Sequence, residues 1–372
     1  MADRSWAEKR SRSVRFWPKN RTVHLGDAWL RDGGRNVGGE MASSEYGAAI
    51  GRSLNGARRR DGVQGNTFRA FGSTCRVVVE EERLVEVARR RLEDLEARWS
   101  RFRPTSEVSR LNGANGRPVT VSEETRRLVW LSTQAHRMTD GLFDPLLLKE
   151  LRSCGYDRTF DELESTTDEL DARGEPALRP IEEREVRISG SEVALPKRAA
   201  FDPGGVGNGL AIDLVLEELL VEGAEWACVS VGGDTIVGGD ALRDQGIDVA
   251  VEDPWETGDQ FGVVSVSEGA VSTSSMRTRR WLQRGAVQHH LLDPRTGLPS
   301  TASRVAATVH APSGWLADVL ATAVVLHPEW GRERLAELSA SGIAFDAAGH
   351  IDLGLPVTPT NDPLTESEPL AA

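Results

Sequence analysis

FDPGGVGNGLAID, Phe201 to Asp213, is where the choice of fold turns. Gly204, Gly205, Gly207 and Gly209 crowd the start of an apolar run, Leu210 to Val221, that reads as a helix ended by Gly223. Glycines before a helix bring bare backbone N–H groups and a helix N-terminus together, which suits a phosphate or diphosphate; a structural turn would use the same residues. The dinucleotide-binding fingerprint needs GxGxxG, whereas Gly205, Gly207 and Gly209 give GxGxG, and no GK[ST] ending makes the segment a P-loop. Short β-like runs follow it: Trp226 to Val231, Ile247 to Val251, Gly262 to Val266, Val287 to Leu292 and Arg304 to Val309. Their hairpin-like spacing favours an α+β fold over a doubly wound sheet.

Upstream, Thr67 to Glu80 alternates apolar and polar residues as a half-buried strand does. Leu84, Ala88, Leu92, Leu95 and Trp99 keep helical spacing between Glu81 and Trp99. Ser122 is placed to cap a second helix carrying Leu128, Leu131, Ala135 and Met138. Asp161 to Glu185 is charged and poor in apolar residues, an irregular surface excursion by composition. A last core helix is expected from near Leu316 to Leu326, and no repeat of fixed period is present. Residues 1–65 carry thirteen Arg and Lys against seven Asp and Glu, with no sustained period, and read as a basic, disordered leader. Residues 354–372 read as a flexible tail, which leaves 66–353 as the folded domain.

The chain has 372 residues and a net charge of −12, with 27% charged and 39% hydrophobic residues. These are the proportions of an ordinary globular protein, and the acidic balance argues against nucleic-acid binding, which needs a basic surface. An acidic protein that handles a diphosphate must recruit positive charge locally, from a metal or a few arginines. Cys75, Cys154 and Cys228 are odd in number and far apart, so neither a disulfide framework nor a zinc site is indicated. No stretch approaches the roughly 20 apolar residues of a membrane span. The Arg-rich start lacks the apolar run of a secretory signal, and a cytoplasmic protein is expected.

Three further segments can carry chemistry. In VSVGGDTIVGG, Val229 to Gly239, Gly232 and Gly233 admit a close backbone or ligand, and Asp234 sits where a strand-end carboxylate meets a sugar hydroxyl or caps its own turn. In HHLLDPRTGLP, His289 to Pro299, two histidines precede a turn bearing Asp293 and Arg295. Adjacent strand residues point to opposite faces, so at most one histidine serves a given site. In WLADVLATAVVL, Trp315 to Leu326, Asp318 and Thr322 are four apart on an apolar helix and share a face. A carboxylate there needs a partner, either a hard cation with oxygen ligands or the Thr322 hydroxyl itself.

These segments occur together, and in this order, in the ApbE family of FAD:protein FMN transferases, which the chain resembles from Phe68 to about Pro328. The resemblance also rests on FGST (Phe71 to Thr74), WSRFRPTSEVSRLN (Trp99 to Asn112), TDGLFDP (Thr139 to Pro145), GYDRTF (Gly155 to Phe160) and VSTSS (Val271 to Ser275). It implies a two-lobed, T-fold-like α+β structure with mixed, largely antiparallel sheets and an FAD cleft between the lobes. It implies Mg²⁺ at the FAD diphosphate, bound at Asp318, Thr322 and Gly205 with Ala321 alongside, and a catalytic role for His290 and Asp318. Flavin-site positions would be Phe71, Phe102, Phe143, Asp144, Asp202, Asn208, Asp234, Thr273 and Leu291. Two residues depart from the family pattern: Asn208 stands where most relatives carry Lys, and Phe71 replaces the usual Met. The implied reaction moves FMN from FAD to a Thr or Ser hydroxyl of an acceptor flavoprotein with an Asp-Gly-Ala/Ser-Thr type motif, releasing AMP. An FAD pyrophosphatase giving FMN and AMP, and a non-catalytic FAD-binding protein, are the alternative readings.

Overall fold

The computed structural model describes residues 64–164, 185–239, 246–255, 260–283 and 285–359. The leader to residue 63, most of the charged excursion after residue 164, and residues 360–372 lie outside the described residues.

The stretch from Thr67 to Glu80 is a hairpin rather than the single strand that its alternation suggests. Strands β1 (Gln64–Ala70) and β2 (Ser73–Val79) pair antiparallel across a two-residue turn, with Phe71 at φ 56° and Gly72 at φ 63°. Left-handed backbone at both central residues matches the twist of the flanking strands. Gly232 and Gly233, at φ 62° and 102°, join β3 (Trp226–Val231) to β4 (Asp234–Gly239) in the same way. Downstream come β5 (Ile247–Glu252), β6 (Gln260–Val266), β7 (Gly269–Ser275), β8 (Arg304–Ala311), β9 (Ser341–Asp346), β10 (Gly349–Leu353) and β11 (Thr358–Pro359). Eight of them form one sheet in the order β1-β2-β3-β4-β7-β8-β9-β10, its ladders antiparallel throughout.

Both faces of this sheet are covered, which is why β3 reads WACVSV with every residue buried. One face receives Val77, Val79, Ala227, Val229 and Val231, packed with helices α1 (Glu82–Trp99), α5 (Gly207–Val221) and α6 (Gly314–Leu326). The alternate residues Val78, Trp226 and Cys228 face a three-stranded sheet of β5, β6 and β11. All five apolar positions expected to bury α1, Leu84 to Trp99, do so. Helices α2 (Glu107–Gly113), α3 (Glu123–Met138) and α4 (Leu148–Ser153) lie between α1 and α5 in the chain; Ser122 caps α3 by accepting from the Thr125 amide at 3.3 Å.

Two boundaries shift. The folded chain runs past residue 353: Leu355 and Val357 enter the second core, and Thr358 and Pro359 pair with β6. The run Val287 to Leu292 is broken, ending as a strand at His289 and resuming only at Leu292. The three cysteines are buried free thiols, as their spacing suggests. Among the described residues, no helix is long and apolar enough to cross a membrane.

Candidate active site

Between the main body and an aromatic lobe built on Tyr156, Leu151, Leu163 and Trp281 opens a cleft of about 950 Å³. Every expected site residue except Ala321 lines it: Phe71, Phe102, Phe143, Asp144, Asp202, Gly205, Asn208, Asp234, Thr273, His290, Leu291, Asp318 and Thr322. Ala321, although one turn from Asp318 on α6, is wholly buried in the helical core. His290 faces the cleft whereas His289 turns aside and bonds the Ser300 carbonyl at 3.0 Å, the division that adjacent positions impose.

The floor is made where α5 and α6 cross. A Cβ on Gly209 would sit 2.3 Å from the Gly314 oxygen, and one on Gly314 would sit 2.4 Å from the Gly209 oxygen, so only two glycines allow this approach. The crossing puts the Gly209 amide 3.4 Å from Asp318 Oδ2. Asp213, one turn further along α5, accepts from the amides of Gly314 at 2.6 Å and Trp315 at 3.0 Å, closing the N-terminus of α6. Gly205 has φ 80°, and a Cβ there would meet the Phe143 ring at 3.1 Å and Thr322 Oγ1 at 3.6 Å. Ser274 Oγ and Thr322 Oγ1 share a hydrogen bond of 3.0 Å.

Asp318 and Asp234 come together from α6 and the start of β4. Burial pushes Asp318 up to about 7, against the Gly209 amide and the Arg279 charge, which pull it down. Burial also holds Asp234 well above the carboxylate range; the charge of Asp318 adds to this, while Ser272, Arg279 and Asn208 oppose it. Two buried carboxylates that repel each other, with the Thr322 hydroxyl and Gly205 beside them, form an oxygen-only donor set of the kind a hard divalent cation takes. Among the described residues no three His, Cys, Asp or Glu side chains converge, so the set suits an ion that keeps waters or substrate oxygens. The residues present therefore fit Mg²⁺.

His290 is pushed down to about 3, by burial first and then by the charges of Arg279, His289 and Arg101, so its ring is neutral at pH 7. Arg101 is held by Asp202 at 3.4 Å and by the Tyr156 carbonyl at 2.9 Å, with its guanidinium 4.2 Å from the Phe102 ring centre and 4.4 Å from that of Tyr156. Phe71 packs edge-on to Trp99 at 6.2 Å, and Thr273 bonds Thr308 at 2.8 Å. Sequence reasoning missed Arg101, Asp213, Ser274 and Arg279. The first three lie in motifs already quoted, but their roles depend on partners distant in the chain.

Residues 71–345 match the family described as the ApbE family. The FAD:protein FMN transferase of Vibrio cholerae is 28% identical, over 74% of this chain and 80% of its own. That of Treponema pallidum is 28% identical, over 68% and 75%. In fold, the chain is similar to the ApbE protein of Thermotoga maritima, with a TM-score of 0.68, 24% identity, and 78% and 97% of the two chains covered. It is also similar to the flavinyl transferase ApbE of Pseudomonas stutzeri in its apo form, with a TM-score of 0.65, 24% identity, and 78% and 93% covered.

Proposed function

The chain belongs to the ApbE family, and from that premise we propose that it transfers FMN from FAD to a Thr or Ser hydroxyl of an acceptor protein, with Mg²⁺ at the diphosphate and AMP as the leaving group. The observation that carries the reading is the meeting, in one cleft, of the buried Asp234–Asp318 pair with a neutral histidine. Relatives of comparable length bearing the name FAD:protein FMN transferase support it.

Asp318, the Thr322 hydroxyl and the Gly205 backbone oxygen would hold the cation, with Ala321 packed beside them in the helical core. When bound, that ion offsets charge on the diphosphate oxygens as the bond between phosphates breaks. The aromatic rings of Phe71, Phe102 and Phe143 offer flat apolar surface to the isoalloxazine, and Asp144, Asp202, Asn208, Asp234, Thr273 and Leu291 complete the flavin nucleotide's contacts. His290 accepts the proton of the acceptor hydroxyl, and the negative diphosphate beside it raises its basicity from the value it has in the bare cleft. The hydroxyl oxygen forms a bond to the FMN-side phosphorus while the bond from that phosphorus to the bridging oxygen breaks. AMP leaves with the bridging oxygen and its electron pair, and the acceptor is left with FMN in phosphoester linkage.

The test is mass spectrometry of the protein incubated with FAD, Mg²⁺ and a small domain bearing an Asp-Gly-Ala/Ser-Thr motif. A gain on the acceptor matching FMN, absent in EDTA, is expected. Free FMN and AMP beside an unmodified acceptor would replace this reading with that of an FAD pyrophosphatase. FAD left intact would leave a flavin-binding protein only.

A further inference from the structure

Arg279 and Arg280, which line the cleft, have no carboxylate partner among the described residues, and of these two only Arg279 is half-buried, Arg280 being exposed. Arg69 is ion-paired with Asp161 at 2.9 Å, Arg101 with Asp202 at 3.4 Å and Arg103 with Glu96 at 3.1 Å, while the Arg277 guanidinium lies 4.8 Å over the Trp255 ring. With the described carboxylates, Arg279 makes no ion pair within 4.0 Å. Among the described residues, its one side-chain hydrogen bond is a long contact from Nη2 to Ser73 Oγ at 3.5 Å. Yet it lines the same cleft as Asp234, Asp318 and His290, and its charge is felt by all three.

Its position is fixed from both sides. Just before it, the Arg277 amide donates to Ser275 Oγ at 3.1 Å. Just after it, the hairpin strand Arg280–Gln283 is held in the aromatic lobe, Trp281 Nε1 donating to the Cys154 carbonyl at 2.7 Å and Gln283 Nε2 to the Ser153 carbonyl at 3.2 Å. An arginine whose flanking chain is so anchored, with guanidinium donors left over and water partly excluded, offers a planar fork to a tetrahedral oxyanion.

We infer that Arg279 is the anion-binding residue of this cleft, its guanidinium taking a phosphate of the substrate diphosphate while Asp318, Thr322 and Gly205 take the cation. This rests on the proposed function for the identity of the substrate, although the phosphate chemistry itself does not require a flavin. The arrangement divides the work of neutralising a diphosphate between a metal and an arginine. It also explains how a protein of net charge −12 holds a polyanion in a cleft that contains two buried carboxylates.

Inorganic pyrophosphate and FAD, each titrated with Mg²⁺ into the full chain and its R279Q and R279K variants, test the inference; riboflavin, which has no phosphate, is the control. R279Q is expected to weaken both phosphate ligands about tenfold or more, the loss of a charge-assisted hydrogen bond, and to leave riboflavin unchanged. R279K should recover part of the loss, since it restores the charge without the fork. Equal weakening of riboflavin and FAD, or undiminished pyrophosphate binding by R279Q, would overturn the assignment. A parent chain that binds pyrophosphate through Arg279 but not FAD would fault the functional reading instead, and leave the arginine's role standing.

Discussion

Asp318 carries opposite consequences for stability and for function. Burial raises its pKa in the folded chain to about 7, above the usual aspartate value of 3.8, so between those limits the folded chain binds the extra proton. Without metal, stability therefore increases as pH falls from 8 through 7 toward 4, and the ionised carboxylate is a cost at pH 8. Asp318→Asn removes that cost and relieves Asp234 of its repulsion. In EDTA at pH 8 the variant should unfold at a urea concentration equal to or above the parent's, and its midpoint should change less with pH. Adding Mg²⁺ should raise the parent's midpoint but not the variant's, and transfer should be lost. A variant less stable than the parent in EDTA would mean that Asp318 is a structural hydrogen-bond acceptor instead. His290→Gln should lower kcat by about 10²- to 10⁴-fold, the usual worth of a general base, with KM for FAD little changed. Both residues were legible in the sequence, Asp318 from a polar interruption four residues from Thr322 and His290 from its place before a turn. Arg279 was not, because an arginine within Arg277, Arg279 and Arg280 looks like any solvated charge run until the fold shows which one turns inward.

At the scale of elements, the catalytic geometry depends on how closely α5 and α6 approach. Gly209→Ala places a methyl group 2.3 Å from a backbone oxygen that cannot rotate away, so the helices must separate. The expected loss is about 1–3 kcal/mol, as for overpacked cores, and it should come with weakened Mg²⁺ binding because the Gly209 amide and Asp318 part. Calorimetric titration of Mg²⁺ checks this; destabilisation with unchanged metal affinity would show that the crossing does not set the site. Asp213→Ala leaves two amides of α6 without an acceptor in a buried place, for an expected cost of about 1–3 kcal/mol in urea unfolding. The four glycines announced a helix start but not the purpose of Gly209. Its partner Gly314 lies more than a hundred residues away, and Asp213 reaches the Gly314 amide across a separation of 101 residues. Local patterns carry the helix faces and the two-glycine turn; they carry nothing about which helix ends meet.

The molecule as a whole is a sheet buried on both faces, with its cleft walled by a hairpin that packs, through Trp281, into the aromatic lobe. Alternation in β2 and burial throughout β3 mark the two faces, and two strands of the three-stranded sheet over the second face are legible as Ile247 to Val251 and Gly262 to Val266, but its third strand is not. Its β11 lies in a stretch whose Pro and Thr content reads as tail, and only pairing with β6 makes it a strand. The fastening of the hairpin rests on Trp281, which stacks 5.2 Å from Tyr156 and donates to the Cys154 carbonyl, while the strand beside it leads on to His290. Trp281→Phe keeps the ring in the aromatic cluster and leaves that carbonyl unpaired, a loss of about 1–3 kcal/mol. Trp281→Ala removes both, a loss of about 3–5 kcal/mol. If the hairpin positions Arg279 and His290, these variants should lose FAD affinity and kcat in the same order as they lose stability, while Mg²⁺ affinity, set by the crossing of α5 and α6 on the other lobe, stays near the parent's. Mg²⁺ affinity falling in step with FAD affinity would instead make the two lobes one cooperative unit, with the cleft collapsing when either side is loosened.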